Sequence, residues 1–181
     1  MIDIKTGAIN SMALPARDYP QFAFSADLKQ MASKEFVKGV GYSVHLWQLP
    51  EGKDMKTIDL GKPSHGHTPE PSGLAYSPDG KLLAISGFYG GQIYDLAADK
   101  FVGPMPEYGQ AVAFSPDSSK ILCKTMTDMS SPQNFWLVDP QSGKSTPIYG
   151  TVEEFPSGLG WSGNKTFFYF GSDVIHFFDV H

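Results

Sequence analysis

The chain has 181 residues, 41% hydrophobic and 18% charged, enough for one substantial core and too apolar for wholesale disorder. A formal net charge of −5, with its lysines and arginines scattered, argues against a phosphate-binding footprint, so nucleic acid is not an expected partner. One cysteine excludes an internal disulfide framework, no apolar run approaches the ~20 residues of a membrane span, and Asp3 stands where a signal peptide would be basic; a cytoplasmic location is expected.

Taken in chain order, "MIDIKTG" (1–7) reads as the end of a strand and its turn, and "AINSMAL" (8–14) as a further strand. "FAFSAD" (22–27) is a short apolar strand running into a turn, followed by "KQMAS" (29–33) and then "SVHLWQL" (43–49). After the polar turn "PEGK" (50–53) comes a fourth short run, "MKTIDL" (55–60). The same series then repeats. "LAYSPD" (74–79) leads to "KLLAIS", "QIYDL", the turn "AADK" and "FVGPM", and "VAFSPD" (112–117) leads to "KILCKT", "NFWLVDP", the turn "QSGK" and "STPIYG". "LGWSGN" (159–164) opens a last series through "KTFFYF" to "VIHFFDV" (174–180). Ser25, Ser77, Ser115 and Ser162 mark the copies, about 40 to 50 residues apart. Glycines and prolines cluster between these runs and no helical periodicity is sustained, so the expected fold is all-β.

Four strands per unit at this period predict a β-propeller with four blade repeats of antiparallel strands, forming either a closed four-blade ring or half of a larger ring. The units run over about 8–49, 54–96, 101–139 and 145–180 of a single domain, with residues 1–14 expected to complete the last blade. The stretch "GHTPEPSGLAYSPDGKLLAISG…QIYDL" (66–96) resembles a WD repeat, with its Gly66-His67 start, its "AYSPDGK" turn, and Tyr94-Asp95 in place of Trp-Asp. "AFSPDSSKILC…NFWLVDPQSGK" is similar to TolB-type propeller repeats. The resemblance implies fold more than function, since propellers carry many activities.

Residues that could carry chemistry read as structural. His65-Gly66-His67 is a close histidine pair with no third ligand beside it, and Gly-His belongs to the repeat, so no metal or other cofactor is expected. Cys123 lies in an apolar strand without a neighbouring base, the pattern of a buried inert thiol. The turn serines recur, whereas a catalytic serine is normally unique, and Asp79, Asp117 and Asn164 read as turn residues accepting backbone hydrogen bonds. Glu153, Glu154 and Asp128 have no spacing that would pair them as a hydrolytic dyad, so no catalytic residue is assigned.

The loops at one end of the propeller carry Phe36, Tyr42, Phe88, Tyr89, Tyr108 and Phe155, amphipathic rings of the kind that anchor interfaces. Phe88 and Tyr89, set among Gly87, Gly90 and Gly91, are the leading pair. The expected function is a non-enzymatic scaffold binding a protein or peptide, as a monomer or a ring-completing homodimer. The alternatives are a propeller hydrolase or lyase acting on a small molecule or glycan at the central channel, and a partial propeller completing a larger assembly.

Overall fold

The computed structural model describes residues 21–37, 41–61, 70–88, 90–107, 109–125, 133–152, 158–170 and 173–180. Within them the chain is all-β, with no helix, in four antiparallel sheets of consecutive strands. Sheet 1 is β1 (Phe22–Phe24), β2 (Gln30–Val37), β3 (Gly41–Gln48) and β4 (Lys53–Asp59). Sheet 2 is β5 (Pro71–Tyr76), β6 (Leu82–Gly87), β7 (Gly91–Asp95) and β8 (Lys100–Met105). Sheet 3 is β9 (Gly109–Phe114), β10 (Ile121–Thr125), β11 (Gln133–Val138) and β12 (Ser145–Val152). Sheet 4 has three strands among the described residues, β13 (Gly158–Trp161), β14 (Thr166–Phe170) and β15 (Ile175–Asp179). The sequence units are thus offset by one strand from the sheets. Residues 1–14 lie outside the described residues.

The recurring serine builds each first turn. Ser25, Ser77 and Ser115 donate through Oγ to the aspartate two residues on, Asp27, Asp79 and Asp117, at 2.8, 2.7 and 2.7 Å. Each hydroxyl also accepts the backbone N–H of the next strand, from Gln30, Leu82 and Lys120, at 2.9 Å in all three. All three serines are buried, so these bonds satisfy polar atoms that would otherwise be costly to bury. The aspartates are held below the ordinary carboxylate value of 3.8. For Asp117 the causes are the Ser119 N–H first and then the Ser115 hydroxyl, and its pKa falls to about 2.

The sheets stack in chain order through one rule. Each first strand alternates bulky, small, bulky: "FAF", "LAY", "VAF" and "LGW". The small residue faces the following sheet and the bulky pair faces the preceding one, because successive strand residues point to opposite faces. Thus Ala23, Ala32, Val44, Leu46 and Ile58 of sheet 1 pack on Leu74, Tyr76, Leu83 and Ile85 of sheet 2. Ala84, Ile93 and Met105 of sheet 2 meet Phe114, Ile121 and Cys123 of sheet 3. Leu122 and Phe135 of sheet 3 meet Phe167 and Tyr169 of sheet 4, where the Phe135 ring centroid lies 5.4 Å from Phe167 and 5.3 Å from Tyr169.

Polar links follow the same order. The Trp161 indole N–H donates to the carbonyl of Ala113 at 3.1 Å, and the Asp79 N–H donates to Ser118 Oγ of the next turn at 3.1 Å. The Asp117 N–H donates to Asn164 Oδ1 at 3.0 Å. Strand β1 packs on β5, β5 on β9 and β9 on β13; no comparable packing joins β13 back to β1 among the described residues.

Candidate functional site

Two ends of the stack carry the loops. The end with the serine turns is tied together as above except at its first joint, where Gly80 offers no side chain to the turn of sheet 1. A small gap opens there between Asp27, Gln30, Tyr76, Pro78 and Asp79. The Tyr76 hydroxyl is buried beside it without a hydrogen-bond partner among the described residues, and burial raises its pKa.

The opposite end holds the expected binding aromatics. Strand β2 runs to Phe36, which pairs across the ladder with Tyr42 at the start of β3. Their ring centroids are 4.9 Å apart at 51°, and Phe36 is half exposed. One row inward Lys34 is buried along its stem, with its Nζ 3.1 Å from Glu70 Oε1 and 5.4 Å from the Tyr42 ring. Glu70 immediately precedes β5, so this ion pair ties the hairpin of sheet 1 to the entry of sheet 2.

Beside the ion pair, Leu60, Glu70, Pro71, Ser86, Gly87 and Gly91 line a shallow groove at the β6–β7 hairpin. Its floor is bare backbone for a steric reason: a Cβ on Gly91 would stand 2.3 Å from the Ile85 carbonyl oxygen, and one on Gly87 2.8 Å from that of Gly90. Gly90 itself has φ +97, open to glycine and strained for other residues. Phe88, at the hairpin tip, is half-buried. Lys124 holds the place on β10 that Lys34 holds on β2, and burial pulls its ammonium pKa down.

Of the six aromatics expected from sequence, the structure brings Phe36 and Tyr42 into contact and places Phe88 at the groove's hairpin. Tyr89, Tyr108 and Phe155 lie outside the described residues, as do His65, Gly66, His67, Asp128, Glu153 and Glu154. Cys123 is fully buried, and burial pushes its thiol up to about 12. Sequence reasoning missed Lys34, Glu70 and Lys124. The available signal was a lysine at the same place in two apolar runs, "QMASKEF" and "ILCKT".

No family model matches the chain, and no curated protein matches it in sequence. In structure it is similar to the hydrazine synthase of Kuenenia stuttgartiensis, with a TM-score of 0.69 and 18% identity over 93% of this chain. The chain spans about half of that protein, 47% of its length. Structural likeness extends to 524 solved chains, too many to single out one activity, and what they share with this chain is the fold.

Proposed function

We propose that this chain is a β-propeller of WD-like repeats that binds a protein or peptide, without chemistry of its own, at the end where Phe36 and Tyr42 stand. The propeller reading is supported by four consecutive antiparallel sheets stacked in chain order by one repeated face rule. The observation that carries the binding reading is the Phe36–Tyr42 pair, mounted on paired strands beside a backbone-floored groove and the Lys34–Glu70 ion pair. Rigid amphipathic rings bind at low entropic cost. Exposed glycine backbone offers hydrogen bonds to an extended peptide, and a lysine and a glutamate at the rim can select its charges.

The test is selection of peptides from a displayed random library on the immobilised full chain, followed by calorimetric titration of the enriched sequences. Replacing Phe36 and Tyr42 together by Ala is expected to weaken binding about tenfold or more, the usual scale for losing an interface anchor. Failure to enrich any sequence, or unchanged affinity in the double variant, refutes the proposal.

A further inference from the structure

The stacking rule leaves one surface of each kind without a partner among the described residues. Sheets 1, 2 and 3 each cover their forward face with the next sheet, which is why Ala32, Ala84 and Leu122, the corresponding positions of β2, β6 and β10, are completely buried. The forward face of sheet 4 carries Gly158 and Gly160 on β13, paired with Phe170 and Phe168 on β14, and then Ile175 and Phe177 on β15. Here Phe170 is 41% exposed, Ile175 47% and Phe177 61%. The rings form one plate, with Phe168 at 5.5 Å from Phe170 and 5.9 Å from Phe177. A contiguous aromatic surface of this kind marks a docking site.

The matching surface is on sheet 1. Its bulky pair, Phe22 and Phe24, flanks Ala23 and points backward, as Leu74 and Tyr76 do onto sheet 1 and as Leu159 and Trp161 do onto sheet 3. Leu74 and Tyr76 are buried, whereas Phe22 and Phe24 are 38% and 53% exposed. Every occupied joint in the molecule therefore joins a forward face with small residues on its first strand to a backward face with a bulky pair. The two free surfaces are one of each.

We infer that the occupant of each is a second copy of this chain: sheet 4 of one copy stacks on sheet 1 of the other, head to tail, in two equivalent joints. Phe22 and Phe24 of one copy seat along Gly158 and Gly160 of the other, against the Phe168–Phe170–Phe177 plate. A two-fold pair closes because both joints form at once, giving a ring of eight sheets with no free sheet face. The contact repeats a geometry that the chain already uses three times internally and needs no new kind of interface.

Light scattering on size exclusion of the full chain, over a wide concentration range, reads the assembly directly. The expected mass is about 40 kDa, twice the 19.8 kDa of one chain. Phe177→Glu and Phe24→Glu each spoil both joints of a homodimer, so each alone is expected to weaken association about 30-fold or more. A mixture of the two variants retains one intact joint, between the sheet 4 of the Phe24→Glu chain and the sheet 1 of the Phe177→Glu chain, and is expected to regain heterodimer.

Circular dichroism melts verify that each variant is folded, and Ile175→Lys replaces Phe177→Glu should the latter not fold. Wild-type monomer at every concentration overturns the inference. So does a dimer sensitive to Phe177→Glu but not to Phe24→Glu, which would place two copies of sheet 4 face to face. A dimer indifferent to both variants, or a mass that climbs without limit as in an open filament, also overturns it.

Discussion

Phe135 is the side chain whose loss should most directly uncouple sheet 4 from sheet 3. It is 1% exposed, stands between the rings of Phe167 and Tyr169, and its strand pairs with both β10 and β12. Phe135→Ala withdraws an aromatic ring from a site with almost no solvent contact. Burying such a side chain is worth roughly 2–3 kcal/mol by area. A residual void of ~70 Å³, at about 24 cal/mol per Å³, adds roughly 1.7 kcal/mol. The two ring pairs bring the loss to about 4–5 kcal/mol, near the top of the range for such truncations. Against a domain stability of about 5–15 kcal/mol this is a large fraction. It corresponds to a fall in melting temperature of about 8–20 °C for a chain of this size. Urea unfolding monitored by tryptophan fluorescence measures it, with an unchanged m-value showing that stability alone has moved. A loss below about 1.5 kcal/mol would mean that Phe135 does not tie the two sheets together, and the stacking argument would fail at that joint.

Two further outcomes test the turns. Leu28 has φ 57 and is 54% exposed, at the turn position that Gly80 fills in the second copy. Leu28→Gly is therefore expected to stabilise the fold by about 0.5–1 kcal/mol in the same urea assay, and a loss of stability would contradict the strain argument. Asp117 has a folded pKa lowered from 3.8 to about 2, so the carboxylate's contribution is fully present above pH 4, and it is lost as pH falls from 3.8 towards 2. Asp117→Asn is expected to melt below the parent at pH 7 and to converge with it near pH 2. A gap that is the same at both pH values would refute the assignment.

The repeats were legible because the signals that write them are local. A serine that bonds the aspartate two residues on and the amide of the following strand needs only a five-residue window, and it announced the turns at Ser25, Ser77 and Ser115. Asn164 illustrates the limit. Its sequence position suggested a carboxamide serving its own turn, yet its Oδ1 accepts from Asp117, 47 residues away in the preceding turn. The candidate site was half legible for the same reason. Aromatics in loops are visible in a sequence, and Phe36 and Tyr42 meet because a short hairpin brings them together. Lys34 looked like an odd charge in an apolar run, since what makes it tolerable there is Glu70, delivered by the next sheet. Burial of that kind depends on which strand arrives from elsewhere, and no local pattern records it.

The bulky-small-bulky alternation also separates the two surfaces proposed for this protein. On β2, residues of even number such as Ala32 and Phe36 face sheet 2, and Met31, which pairs with Phe24, faces the other way. Phe36 and Phe24 therefore lie on opposite faces of sheet 1, one near its loop end and the other on its first strand. Peptide binding and self-association then draw on different side chains and share no partner. Independent sites add, so Phe36→Ala should leave the dimer mass unchanged and Phe24→Glu should leave the affinity for a selected peptide unchanged per chain. Coupling between the two would mean that the loop end is assembled only when both joints are closed. In that case the ring, rather than the single chain, would be the binding unit.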